Sequence, residues 1–331
     1  MRPSTTPNTA VPKQRFSAGL RRVPLAADPR TSPAPEVVLH SAPVDSIEAL
    51  GRLRQSLLFA ELANVAYLPF ERVQQLAGPL GFDRIEFYDH DGSQAYRLES
   101  PADCVMVCRG TEPSEWNDIK ADVDAMSVVA ETVGRVHRGF KQEVDDLWPL
   151  LEQALASNSK TLWFAGHSLG GAMATICAGR CFLSQIRSMP QSLYTYGSPR
   201  VGDKTYINYC DIDHIRWVNN NDIVTRVPPP WFGYRHSGRE MYLNAYGELR
   251  QLNGWQRTKD RCRGFLAGLR QFRIDPFSDH QMECYIESIR RMVLEYEASG
   301  LAEDLWIREK KRWGKRLAEK NQAAGALRAN R

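Results

Sequence analysis

Nowhere does this 331-residue chain hold about 18 consecutive apolar residues, so no membrane-spanning helix is expected. Its first 35 residues lack an apolar run of signal-peptide length. A cytoplasmic protein is therefore expected, organelle transit or non-classical export being the alternatives. No Cys-x-x-Cys pair is present to seed a zinc site, and no metal or cofactor is expected. Seven cysteines cannot all pair within one chain. Cys104 and Cys108 fall four apart on an expected strand, Cys177 and Cys181 four apart on an expected helix. Neither spacing, roughly 13 Å and ~5–6 Å, matches the ~3.5–4.5 Å between Cβ atoms that a disulfide needs. The thiols read as small apolar fillers in a reducing compartment. Internal repeats are also lacking.

Acidic residues are scarce at the two ends. Residues 1–35 carry six Lys/Arg and one Asp, and residues 308–331 carry nine Lys/Arg and two Glu. The net charge of +4 therefore leaves −8 on residues 36–307 (4 − 5 − 7). Basic ends suit solvated tails or peripheral contact with an anionic lipid surface. No nucleic-acid partner is expected, because no nucleic-acid-binding fold accompanies them.

Seven of the 19 prolines lie in residues 1–35, and the segment 1–44 reads as a disordered basic tail. From Asp45 the pattern turns helical, with Ile47, Leu50, Leu53, Leu57, Leu58, Leu62 and Val65 at three- and four-residue spacing. Residues 85–88 and 94–98 suggest a hairpin around Asp-His-Asp-Gly. Strands are expected at Cys104–Cys108, Leu162–Ala165, Leu193–Tyr196 and Ile215–Val218. Helices are expected at 140–156, kinked by Pro149, and at Ala172–Leu183. Strands alternating with helices predict an α/β domain over 45–295, with a mostly parallel sheet covered on both faces. Residues 296–331 read as a charged, helical, basic C-terminal tail. Ala302, Trp306, Trp313 and Leu317 share one face there, suited to docking on the domain, to solvent or to a membrane surface.

Residues 161–173 place Gly166-His167-Ser168-Leu169-Gly170 between a buried strand and a helix. This is the Gly-x-Ser-x-Gly nucleophile elbow in its strand–turn–helix setting. The serine needs a sharp turn, and side chains two residues either side of it would strike neighbouring backbone. The following helix aims its N-terminal amides at a reacting carbonyl. A hydroxyl is a weak nucleophile at neutral pH, so Ser168 requires a base.

Further segments follow in order: Val107-Cys108-Arg109-Gly110-Thr111, Val136-His137-Arg138-Gly139-Phe140, Tyr196-Gly197-Ser198-Pro199-Arg200-Val201-Gly202-Asp203, Asn221-Asp222-Ile223-Val224 through Pro228, His236-Ser237-Gly238-Arg239-Glu240, and Asp279-His280-Gln281-Met282 through Tyr285. Across roughly 50–290 the chain resembles the class 3 (fungal-type) lipase family. The resemblance implies an α/β-hydrolase with a Ser–Asp–His triad, acting as a serine carboxylester hydrolase on acylglycerol-type lipids through an acyl-enzyme. Phospholipase A, a soluble-ester esterase and a catalytically silent binding scaffold are the alternatives. Chain order agrees, since the acid and then the histidine should follow Ser168. Asp222 lies just past an expected strand end, with Asp203, Asp211 and Asp213 as rivals. Of seven histidines, only His236 and His280 follow Asp222, and the Asp279-His280 motif favours His280 as base. The oxyanion hole would use the amide of Leu169 and, by resemblance, Thr111. The family places a lid between Thr111 and His137. Here Trp116, Ile119, Val123 and Met126 recur at helical spacing in a segment rich in acid, a stripe that also suits a packed helix.

Overall fold

Cys104 to Cys108 are all buried, yet they face two different layers. Cys104, Met106 and Cys108 join one hydrophobic cluster, while Val105 and Val107 point away from it. That is the two-residue period of a strand covered on both sides. The computed structural model describes residues 37–42, 45–110, 126–183, 186, 188–260 and 278–310. The chain divides into two units, Met1–Val38 and Leu39–Arg331, and every element below belongs to the second.

The strands are β1 (Arg84–His90), β2 (Ser93–Glu99), β3 (Asp103–Cys108), β4 (Ser127–Val129), β5 (Arg135–His137), β6 (Thr161–His167), β7 (Pro190–Tyr196), β8 (His214–Asn219) and β9 (Arg239–Leu243). Helices with both ends among the described residues include α1 (Arg52–Val65), α2 (Phe70–Ala77), α3 (Arg138–Ala156), α4 (Leu169–Leu183), α5 (Lys204–Tyr209) and α6 (Met282–Ser299). Among the described residues, seven strands form one sheet in the order β1-β2-β3-β6-β7-β8-β9. The pairs from β3 through β9 are parallel, and β2 alone runs against the rest. The expected α/β architecture is thus present, and β4–β5 make a separate small hairpin. The β1–β2 turn uses Asp91 at φ 51° and Gly92 at φ 89°, the left-handed pair that a tight two-residue hairpin loop demands. Helix α3 runs through Pro149 without interruption.

Helices α3 and α4 cover one face, with Phe140, Val144, Leu147, Leu151 and Leu155 packed against Met106, Leu162 and Phe164. Helix α1 packs on β6 and β7 and against α6 on the other face, where Phe59 stacks on Tyr194 and lies 5.6 Å from Trp163. Helix α1 is buried nearly all round, so its polar groups need partners. Gln55 accepts from the Tyr194 hydroxyl, and Glu61 accepts the amides of His40 and Ser41. The chain is therefore anchored already at residue 40, ahead of the expected boundary at 44. Among the described residues no helix is long and apolar enough to cross a membrane.

The helix expected from Asp45 begins later. Residues Ile47–Ala49 form a single 3-10 turn, whose first amide is held by Asp103, and α1 starts at Arg52. The N-terminal residue Gly51 has no side chain to cap the helix. Glu303 does so instead, its carboxylate accepting the amides of Arg52 at 2.8 Å and Leu53 at 2.5 Å. Residues 303–310 are helical, and Trp306 is buried, its ring 6.2 Å from that of Tyr296. Of the three settings considered for the C-terminal helix, docking on the domain describes residues 303–310. Trp313 and Leu317 lie outside the described residues. Removing the Glu303 carboxylate, as in Glu303→Ala, should lower the unfolding free energy by about 1–2 kcal/mol. Trp306→Ala should cost about 3 kcal/mol or more. Urea denaturation followed by far-UV circular dichroism measures both. Unchanged midpoints for the pair would mean that 303–310 contributes nothing to the fold.

Candidate active site

Strand β6 ends at His167, and α4 begins at Leu169. Ser168 sits between them at φ 59°, in the left-handed region that costs a non-glycine residue energy. The turn closes only because its neighbours are bare. A Cβ on Gly166 would strike the carbonyl of Gly170, and one on Gly170 would strike the carbonyl of Cys108. The Ser168 amide donates to the Tyr196 carbonyl at 3.0 Å, which ties the turn to the end of β7.

Asp222 lies three residues past the end of β8, fully buried. His280 ends a 3-10 turn, Ser278–His280, just before α6. The structure brings the three together. The Ser168 hydroxyl is 2.8 Å from His280 Nε2, and His280 Nδ1 is 2.9 Å from Asp222 Oδ2. With Asp222 ionised, Nδ1 carries the proton and donates, leaving Nε2 to accept from the serine. The other Asp222 oxygen accepts the Val224 amide at 2.9 Å. Gly197, at φ 61°, leaves room for this pair. A Cβ there would lie 2.7 Å from Asp222 Oδ2 and 2.8 Å from the His280 ring.

The rival residues stand elsewhere. Asp203 caps α5 by accepting the Tyr206 amide, Asp213 pairs with Arg52 at the opposite end of β8, and Asp211 is exposed. His236 bonds the Thr225 carbonyl through Nε2 at 2.8 Å. Leu169 is the first residue of α4, so its amide has no partner four residues back within the helix. Thr111, Trp116, Ile119 and Val123 lie outside the described residues. Met126 is exposed, immediately ahead of β4.

Two contributors escaped the sequence reading. The Tyr285 hydroxyl donates to Asp222 Oδ2 at 2.7 Å and accepts the Asn219 amide at 3.0 Å. Burial, and then the carboxylate, holds that phenol well above its ordinary range, so it stays a donor. Its position inside the Asp279–Tyr285 motif was the available signal. Gly197 likewise lies in the Tyr196–Asp203 segment, but its closeness to Asp222 and His280 depends on contacts distant in sequence.

Burial also shifts three further histidines. His167 and His236 are held well below the ordinary imidazole range, and His214 is lowered to about 3, with Arg216 adding to the effect. His214 is satisfied as a neutral ring, between Thr195 Oγ at 2.8 Å and Ser237 Oγ at 2.7 Å. The buried thiols move the other way. Burial raises Cys104 and Cys181, and pushes Cys210 up to about 11.

Residues 105–232 match the family model described as Lipase (class 3). A lipase from Rhizomucor miehei is 36% identical over 168 residues, 47% of this chain and 46% of that protein. The secreted mono- and diacylglycerol lipase 1 of Fusarium solani is 37% identical over 118 residues, 33% of this chain and 34% of that one. The chain thus spans less than half the length of either relative. A solved structure of the Rhizopus microsporus var. chinensis lipase is similar at TM-score 0.49 and 26% identity, covering 62% of this chain and 80% of that chain. The word "secreted" in the name of the Fusarium protein, and in those of lipases from Malassezia globosa, overturns the cytoplasmic expectation. That expectation rested on the lack of a long apolar run, and the reducing compartment read from the cysteines gives it no independent support. The thiolate is the reactive species, and buried apolar thiols with raised pKa stay protonated, so they do not require a reducing compartment.

The buried histidines set a pH dependence. In the unfolded chain an imidazole takes up a proton below about pH 6.5. In the fold, His214 resists until about pH 3, and His167 and His236 also titrate below their ordinary range. Between these limits the unfolded state binds more protons, so this contribution to stability is complete above pH 6.5 and is lost as pH falls. Calorimetry should show Tm falling from pH 7 to pH 4. His214→Gln should have a lower Tm at pH 7 and a shallower decline. An equal slope for both proteins would exclude His214 from the effect.

Proposed function

We propose that the protein is a serine carboxylester hydrolase that cleaves acylglycerol-type lipids, a reading supported by the match of residues 105–232 to the class 3 lipase family model. The observation that carries this reading is the unbroken chain from the Ser168 hydroxyl through His280 to Asp222, on a strained turn at the end of a parallel strand. His280 Nε2 takes the proton as Ser168 Oγ bonds to the ester carbonyl carbon. Negative charge then moves onto the carbonyl oxygen, where the Leu169 amide and Thr111 would receive it. Collapse breaks the bond to the alcohol, which leaves with the proton returned by His280. Water, deprotonated by the same imidazole, releases the acid from Ser168. Asp222 holds the imidazole in the Nδ1–H form throughout, and Tyr285 and the Val224 amide hold Asp222.

The substrate class draws support from the relatives' names, which specify lipases and, for the Fusarium solani protein, mono- and diacylglycerols. The secreted relatives likewise support action outside the cell.

Three variants test the assignment. Ser168→Ala should retain the fold and lose turnover by about 10⁴-fold or more, and His280→Ala should match it. His236→Ala should lower Tm while a fluorophosphonate still labels Ser168 at close to the wild-type rate. Labelling of a different residue, found by peptide mapping, would sink the reading. Rates on dissolved short-chain esters, acylglycerol emulsions and phospholipid vesicles separate the substrate classes. A lipase prefers the emulsion, with a rate that climbs past the solubility limit. A smooth saturation curve through that limit would identify a soluble-ester esterase, and preference for the vesicles a phospholipase.

A further inference from the structure

The ring of His280 is held by Asp222 and Ser168, but its backbone has a separate tether. His167 Nε2 lies 2.7 Å from the His280 carbonyl oxygen, and His167 Nδ1 lies 3.0 Å from the Tyr67 hydroxyl. We propose that Tyr67 and His167 form a positioning strut that fixes the base relative to the nucleophile. The inference rests on the reading of His280 as the base, and deepens it.

The chemistry of the contacts sets every proton in the strut. A carbonyl oxygen only accepts, so Nε2 of His167 must carry the hydrogen and donate it. Nδ1 is then a lone pair, and the Tyr67 hydroxyl donates to it. The two imidazole rings lie 4.4 Å apart between centroids. When His280 takes the serine proton it becomes a cation, and a second cation at that separation in a buried site would oppose the transfer. Burial and the neighbouring His280 hold His167 neutral, well below the ordinary imidazole range.

Position explains why this residue can act as a strut. His167 directly precedes Ser168, so one peptide link joins it to the nucleophile and one hydrogen bond joins it to the base. Other bonds secure the same turn. Asn219 Nδ2 donates to the Asp279 carbonyl at 3.0 Å, and the Asn221 amide donates to the Asp279 carboxylate at 3.1 Å. Those bonds fix the turn to the end of β8, where the acid lies. Only the His167 bond among these refers it to the elbow. Tyr67, two residues past the end of α1, extends the connection. A Cβ on Gly110 would sit 2.6 Å from its hydroxyl and 2.7 Å from the His167 carbonyl. The same tyrosine therefore touches the backbone that leads from β3 toward Thr111.

A displacement of about 1 Å at a reacting group costs on the order of 10²-fold in rate. His167→Leu, which removes the donor, should lower kcat by roughly 10- to 100-fold with KM within about twofold of wild type. His167→Gln, whose amide nitrogen can donate to the same carbonyl, should recover kcat to within about fivefold. Tyr67→Phe should lower kcat several-fold, again with KM unchanged. Melting curves establish that each variant is folded. Folded His167→Leu with wild-type kcat would overturn the strut, as would a Gln variant no better than Leu. Should the Leu variant fail to fold, Tyr67→Phe decides, because wild-type kcat in that protein is incompatible with the proposal. Fluorophosphonate labelling separates this failure from that of the base assignment. If wild type labels at Ser168 and His280→Ala labels equally fast, the base assignment itself is wrong, whatever the strut variants do.

Discussion

Ser168 adopts a backbone conformation that an L-residue avoids, and the architecture around it is arranged to hold that turn. The turn lets a serine stand at the junction of β6 and α4 with its hydroxyl toward His280 and its amide bonded to β7. Holding it requires the carbonyls of Cys108 and Gly170 to pass where side chains would otherwise be, so three backbone segments meet with almost no side-chain volume between them. The parallel sheet makes this possible. Adjacent strands β3, β6, β7 and β8 all end on the same edge, and their ends deliver Gly110, Ser168, Gly197 and Asp222 side by side.

Helix α1 is the second element on which the site depends. It fills the face of the sheet opposite α3 and α4, and its polar groups reach in three directions. Glu61 receives the incoming chain at His40 and Ser41, Gln55 and the Ser56 carbonyl receive the hydroxyls of Tyr194 and Tyr196, and Tyr67 just beyond its end meets His167 beside Ser168. A helix this buried is stabilised by apolar contact, but its orientation is specified by these few bonds, each of which would leave a buried group unsatisfied in any other register.

Much of this was legible in the residues themselves. The elbow could be read because its steric demand is local: five residues and the strand and helix beside them contain the whole requirement. The alternation of strands and helices was legible for the same reason, as was the chain order that singles out Asp222 and His280, which the fold brings together with Ser168. Illegible features depend on partners far away in sequence. The start of α1 was misplaced because its capping group, Glu303, is 250 residues distant and replaces the local cap that Gly51 cannot supply. Strand β9 was missed because Arg239–Leu243 is short and begins with two charged residues, Arg239 and Glu240. Its pairing with β8 and the ion pair of Glu240 with Arg216 make it a strand. The contact of His167 is illegible for the same reason, because nothing within the elbow announces a carbonyl 113 residues later. Location failed differently, since it was read from the lack of a long apolar run in the chain, and the names of the secreted relatives overturn it.

The cap that Glu303 places on α1 also has a bearing on biosynthesis. A ribosome delivers the chain from the N-terminus, so α1 leaves the exit tunnel long before residue 303 has been translated. Throughout that interval the first turn of the helix has two amides without their final acceptor, and the face that will meet α6 has nothing to cover it. The domain therefore cannot reach its finished state strand by strand during elongation. Helix α1 is completed by a residue 250 positions later, and the nascent chain must keep that helix provisional until Glu303 has emerged.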